Sequence, residues 1–514
     1  MHMIKNKMIV IISVLVIVLL SAQFLFAASE TKLTKLTLDE IKEVLKKKRG
    51  FRDVDMSTLD LSELDLGKTI FNHSSLTGTI LKKATLSDAV LITSDMTNSD
   101  LENAEMTGIK IDSSNLTGAD LRNSNLTCVA LISNTMKGAN LSGANLRYGI
   151  IRDTDLNNAV MNNTNLSFAL INSDLNSVDL RKADMHGAFL MDASLANSNM
   201  SDVNLSAAKI NHISFKGSMK NQVILSRANL SYAVIVSSKM DYARLDGAYM
   251  TGVLIDRVDL NYADLSYAVI NSAFIIKSEF NKADLQHASL AGSSLAGVEF
   301  KEADMRNADL KKTDLTEAVM TGTNLGKADL SGSDLSGANL KNANLSGARI
   351  EDVRLDGAEL TGAILEGAIL KNVNLNRAVL NDASLKHADL KGFDLSGIRM
   401  SKAHLTGTIL TRANLSNTDL SYANLVSSDL KDANLAQTNF NGADLSGADL
   451  SGANLTGSNL KNAVLANANM NGADITGADI KGADFTGVDT GLIKNIDQSK
   501  NLDKAKGLNI PIPQ

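Results

Sequence analysis

The sequence predicts an all-β fold, a single long solenoid of short stacked faces, and three observations carry that reading. The first is a period of five. From Leu175 to Phe485 every fifth residue is a centre, and all 63 centres are Leu, Ile, Met or Phe except Lys220. The second is that the rule continues upstream with the phase moved by one: the 24 centres from Met56 to Ile171 are all apolar. The third is where proline falls. Stacked coils consume almost every backbone N–H, which proline lacks, and the only prolines, Pro511 and Pro513, lie beyond the repeat.

A period of five suits neither a helix, with its 3.6 spacing, nor a strand, with its spacing of two. Two inward positions and three outward ones fit a short straight face followed by a corner. The inward pair is the centre and the residue two before it, usually Ala, Ser, Thr or Val. A small side chain beside a large one fills a narrow interior at close to crystal density. Asp or Asn often stands just before the centre, and Ser, Gly, Lys, Asn or Thr just after it. Coils then stack at the strand spacing, about 4.8 Å.

Units such as Ser451-Gly-Ala-Asn-Leu455 resemble the pentapeptide-repeat family, whose consensus is Ala-Asp/Asn-Leu-x-x. The resemblance covers about 430 of 514 residues, and 86 of 87 centres obey it. It implies a right-handed quadrilateral β-helix with four pentapeptides per coil, hence about 22 coils and a rod roughly 105 Å long.

Taken in order, the chain opens with Lys5 and Lys7, an apolar run from Met8 to Phe26, and Ala27-Ala28-Ser29. Residues 1–28 read as a secretory signal peptide. The run of 19 residues is also long enough to anchor the chain in a bilayer if uncleaved. Residues 29–50 read as a helical cap. Thr37-Leu-Asp-Glu40 is a capping box, Ile41, Val44 and Leu45 form one apolar stripe, and Lys46-Lys-Lys-Arg49 before Gly50 is a helix stop. The repeat occupies 51–485. Leu59 and Leu64 take inward positions where later repeats use Ala. The phase shift near 171–175 reads as a tightened corner. Near 213–225 the rule loosens: Ile213 and Val223 are large for the small inward position, and Lys220 falls on a centre. A buried, unpaired Lys is costly, so a local slip that buries Met219 instead is expected. Phe393 is the largest residue at a small inward position. Residues 486–514 read as a C-terminal cap and tail.

With four repeats per coil, residues 20 apart stand one above another. Tyr148 and Phe168 then stack, with Cys128 in the same column, as do Tyr242 and Tyr262; Phe280 and Phe300 stack inside. Tyr232 and Tyr267 add to the aromatic density nearby. These aromatics serve either as ladder stabilisers or as a sugar- or protein-contacting patch. One column is acidic and contains Asp309, Asp329, Asp429 and Asp449. Carboxylates one coil apart need relief from solvent, a basic neighbour or a cation.

Function is bounded mainly by what is missing. The histidines do not converge on a zinc set, and no Ser/His/Asp or Cys/His constellation can be placed. A filled rod offers no convergent pocket, so no enzyme, cofactor or metal is expected. The net charge of −6 is spread out, and direct nucleic-acid binding is not expected. The expectation is an exported, extracytoplasmic rod of the bacterial cell envelope that binds a protein or glycan. Membrane contact would come only through Met8–Phe26 if uncleaved. The resemblance also implies an alternative, a DNA-mimicking partner of DNA gyrase.

Overall fold

A computed structural model describes residues 32–215 and 222–508. The Met8–Phe26 run, the cleavage region, Met219, Lys220 and the 509–514 tail lie outside these residues.

The repeat builds a parallel β-solenoid. Within a regular coil each residue pairs with one twenty positions on, as Ile70 does with Val90 and Val90 with Lys110. Among the described residues the centres turn inward, and Leu, Ile, Met and Phe at these positions form one continuous core. The Asp or Asn before the centre has a local task. Its side chain accepts from the amide two residues on, as Asp449 does from Ser451 N at 2.9 Å and Asn454 from Thr456 N at 3.1 Å. This side-chain turn bends the chain into a corner, so most faces carry isolated bridges rather than strands.

One side of the rod differs. Here the residue before the centre is Ile70, Val90, Ile150, Leu170, Val234 or Leu254, with nothing to accept that amide. The backbone stays extended, as β-branched and apolar residues favour. A twelve-stranded parallel sheet results, running from Gly50–Arg52 to Phe274–Ile276. It stops where the next residues in the column are Ser294 and Asp314.

The extended corners leave a buried amide to satisfy. Elsewhere the small inward residue donates to the preceding centre's carbonyl, as Ala84 N does to Leu81 O at 3.0 Å. After the sheet strands it donates to the side chain one coil above. Ser94 N reaches Ser114 Oγ at 3.0 Å, and Ser114 N reaches Asn134 Oδ1 at 2.9 Å. Thr154 N closes the series on Ser173 Oγ at 3.0 Å.

Both irregularities are resolved by the register. Leu170 pairs with Phe189, nineteen residues on, and the sheet runs through this point without a break. Lys209 pairs with Val234, twenty-five on. One pentapeptide in that coil therefore adds no step to the ladder, which takes a quarter of a coil from the count made by dividing all centres by four. A five-residue insertion preserves a five-residue phase, which is why the period did not reveal it.

At the N-terminus, helix α1 (Leu38–Lys47) buries Ile41 against the first coil, and Leu59 and Leu64 are half-buried there. Its capping box is formed: Thr37 N donates to Glu40 Oε2 at 2.7 Å and Glu40 N to Thr37 Oγ1 at 3.4 Å. At the C-terminus the pattern changes period rather than ending. Three short 3-10 turns, Thr490–Leu492, Ile496–Gln498 and Leu502–Lys504, recur every six residues. Lys494, Lys500 and Lys506 still pair with the coil below.

The ladder opens widely beside Phe393. Among the described residues, no backbone hydrogen bond joins 366–377 to 386–397. The coil below is sealed by Leu355 N to Asn374 O at 2.8 Å, and the coil above by Leu395 N to Asn414 O at 2.7 Å. On the two opposite faces, Leu360 N to Val379 O and Leu365 N to Ser384 O remain intact. The coils are thus wedged apart on two sides. Phe393 sits at the opening, half-buried over Val373 in a column that continues to Ala413. A phenyl ring in an alanine-sized place overfills the narrow interior.

Candidate functional surface

The predicted aromatic stacks form. Tyr148 and Phe168 stack at 5.5 Å and 17°, and Arg147 lies over both rings. Tyr242 and Tyr262 stack at 4.9 Å and 8°, with Lys282 Nζ 5.7 Å from the Tyr262 ring. Phe280 and Phe300 lie 5.2 Å apart inside the core. Stacks of this kind contribute about 0.5–1.5 kcal/mol beyond burial. Three were not anticipated: Phe51 stacks on Phe71 at 5.5 Å, His186 meets the Phe168 ring edge-on at 5.2 Å, and Tyr267 stacks on His287 at 4.8 Å and 5°. The spacing of twenty between Tyr267 and His287 is legible in the sequence.

The twenty-five-residue coil moves Tyr232 into the Tyr148–Phe168 column, because Ala207 N bonds Ser231 O. Tyr232 is 68 % exposed and lies flat over Gly252, where a Cβ would stand 2.7 Å from the ring. Gly252 also has φ +65°. Gly252→Ala is expected to lift the ring from its seat and lower stability by about 1–2 kcal/mol, measurable as a shift in the thermal midpoint and in Tyr232 fluorescence.

This aromatic corner borders the outer face of the long sheet. Its exposed residues include Ile70, Phe189, Met191, Phe274 and Ile276, with Phe274 58 % exposed. Reading the outward position as an average over all repeats hid this strip. Reading it by columns of twenty would have found it, since one column replaces Asp and Asn almost throughout this length, mostly with Ile, Val, Leu and Phe.

The acidic column is present but its charge is relieved. Asp309 and Asp329 face each other across adjacent coils. Lys311 Nζ bridges them, 3.6 Å from Asp309 and 3.2 Å from Asp329. Burial pushes the Asp329 carboxyl up, but hydrogen bonds from Ser331 and Lys311 outweigh it and hold the group below the usual carboxylate range. Asp429 accepts from Thr411 Oγ1 at 2.8 Å, and Asp449 from Asn469 Nδ2 at 3.0 Å. Among the described residues no group of three or more His, Cys, Asp or Glu is arranged to hold a metal.

Depressions lie where the repeat is disturbed. The shortened coil leaves one of about 350 Å³ lined by Asp153, Asp155, Asp174 and Asp192. The Phe393 wedge leaves one of about 400 Å³ beside Asn372, Lys391 and Asp394, and one of about 640 Å³ beside Asp356, Arg377 and Ser396. All are open and polar.

Several carboxylates elsewhere on the rod are stabilised in the charged form. Asp179 is lowered by its hydrogen bond from Arg181, Asp202 by that from Arg227, and Glu299 by that from Lys301. A folded-state pKa below the unfolded one adds stability above the unfolded value, near 3.9 for Asp, which is lost as pH falls through the folded value. The thermal midpoint is therefore expected to hold from pH 7 to about 5 and to fall below about 4. Asp241, raised by burial and then by Asp259, works in the opposite direction. Differential scanning calorimetry across this range checks the sign.

The profile for pentapeptide repeats matches residues 60–127, 139–211, 278–316, 318–397 and 398–489, well over half of the chain. The chain belongs to the pentapeptide-repeat family. No curated protein matches it. Among solved structures, it resembles HetL, a pentapeptide repeat protein involved in heterocyst differentiation regulation from the cyanobacterium Nostoc sp. strain PCC 7120. Identity there is 22 % over 67 % of this chain and 97 % of that one, with a TM-score of 0.22. It also resembles QnrB1, a plasmid-mediated fluoroquinolone resistance protein, at 21 % identity over 40 % and 89 %, with a TM-score of 0.28. A pentapeptide repeat protein of the Arabidopsis thaliana thylakoid lumen is 39 % identical over 20 % and 66 %, with a TM-score of 0.14. These likenesses reflect the shared repeat.

Proposed function

We propose that this pentapeptide-repeat protein is a non-enzymatic, exported interaction rod of the bacterial cell envelope, presenting a long regular surface to a protein or glycan partner. The observation that carries the reading is the exposed aromatic and apolar strip formed by the Tyr148–Phe168 corner and the adjoining sheet face. Large rigid aromatics at the surface favour contact with another molecule over solvent. Repeated weak contacts along a rod sum to useful affinity. Export is supported by Lys5, Lys7, the Met8–Phe26 run and Ala27-Ala28-Ser29.

Fractionation of the native host, with mass spectrometry of the mature N-terminus, tests the reading. A start near Ala28 or Ser29 in the periplasm or medium is expected, and Met1 retained in the membrane would make the rod an anchored one. An intact, soluble, cytoplasmic chain would overturn export and turn attention to gyrase. The relief of the acidic column by Lys311 weighs against DNA mimicry.

A further inference from the structure

We propose that the outer face of the twelve-stranded sheet is a self-association surface, on which a second copy of this chain packs with the two rods side by side and pointing the same way. The inference does not depend on where the chain resides.

Each strand turns two residues outward, one before the centre and one after. Face-to-face pairing about a two-fold axis along the rod sets the first outward residue of a coil against the second of the same coil in the partner. The face is built for that match. Apolar residues oppose apolar ones at Val90 and Ile92, at Phe189 and Met191, and at Phe274 and Ile276.

Charge makes the same choice. Most charges on this face are already engaged: Arg52 with Asp53 at 3.4 Å, Arg152 with Asp153 at 3.1 Å, and Asp256 with Arg257 at 2.8 Å. Lys209 lies 5.0 Å over the Phe189 ring. Lys110 has no ion-pair partner among the described residues, and Asp112 on the same strand takes only the Ser113 hydroxyl, at 2.9 Å. The parallel arrangement brings Lys110 to the partner's Asp112, twice by symmetry. A fully overlapped antiparallel arrangement would instead set the fourth strand, Lys110–Asp112, on the ninth, Lys209–Asn211. Like residues would then meet like positions, and Lys110 would face Lys209, a repulsive pair.

The area is sufficient. Eleven strand steps give a face about 53 Å long, and three residues give about 10 Å of width. Two such faces cover on the order of 1,000 Å², the lower bound for a specific interface. The bordering Tyr148 and Tyr232 extend it.

Sedimentation equilibrium of the full chain tests this. Twice the monomer mass is expected at micromolar concentration. Phe189→Glu combined with Phe274→Glu should raise the dimer dissociation constant about tenfold or more, with the thermal midpoint reporting that the rod remains folded. Lys110→Asp and Asp112→Lys should each weaken the dimer, and the two together should restore it. An antiparallel dimer would respond oppositely, with Lys110→Asp strengthening it. All variants keep the Met8–Phe26 run, so association through that run would ignore these changes and overturn the proposal. So would a monomer at every concentration. A monomer that floats with phosphatidylglycerol vesicles until Phe189 and Phe274 are changed would assign the face to a lipid surface instead.

Discussion

Phe393→Ala is expected to stabilise the rod, an unusual outcome for deleting a phenyl ring from a core. Removing a buried Phe ordinarily costs about 3–5 kcal/mol. Phe393 is only half-buried, so the lost burial is smaller, about 1–1.5 kcal/mol. Against it stands the opened ladder between 366–377 and 386–397. Closing the coils there would form about five inter-coil backbone hydrogen bonds, at about 0.5–1.5 kcal/mol each. It would also bury Leu370 and Val373, which are now half-buried. The balance favours the variant by a few kcal/mol. Hydrogen exchange is the direct readout. The amides of Leu370, Leu375 and Asp394 exchange fast in the native chain and slow by orders of magnitude in Phe393→Ala, while those of Leu355 and Leu395 are unchanged. If the variant is destabilised and these amides stay fast, the ring seals the opening rather than causing it. The change of corner from the extended Ile369–Lys371 strand to the tight turn at Gly392 would then be the cause.

The contrast between what was and was not legible follows from how each feature is encoded. The inward positions were legible because burial imposes the same demand on every repeat. The stacks of Tyr148 on Phe168 and Tyr242 on Tyr262 were legible because a solenoid turns a spacing of twenty into contact. Three features escaped. The sheet face depends on one outward column, and a consensus averaged over all columns dilutes Ile70, Phe189 and Phe274 among the Asp and Asn of the other sides. The extra pentapeptide between Phe215 and Val223 leaves the phase intact, so only the pairing of Lys209 with Val234 reveals it. Phe393 was visible as a misfit. Its consequence was not, because a ladder can meet an oversized residue by shifting locally or by opening.

Asn134→Leu is expected to be the most damaging conservative change in the first half of the rod. The two side chains are similar in volume, and position 134 is an inward place in an otherwise apolar interior. Packing alone would predict tolerance. The hydrogen bonds predict otherwise. Asn134 Oδ1 accepts from Ser114 N at 2.9 Å, and its Nδ2 donates to Ile111 O at 2.8 Å. Leucine leaves the buried Ser114 amide unpaired, at about 1–3 kcal/mol, and takes a second donor from Ile111 O, which the Ile132 strand neighbour still pairs, at about 0.5–1.5 kcal/mol. The expected loss is therefore about 1.5–4.5 kcal/mol, large for a repeat whose stability rests on neighbouring coils. Asn134→Ser is the control. A serine at the equivalent place one coil below accepts the Ser94 amide, so the variant keeps the first bond and gives up only the second. It should lose less than half as much in urea unfolding. The damage should also be local, with the Ser94 and Ser114 amides losing exchange protection while coils beyond Phe274 keep theirs. Equal stability of the Leu and Ser variants would mean that the extended corners do not need the polar column, and that Ser74, Ser94, Ser114, Asn134 and Thr154 share it for some reason other than the amides they satisfy.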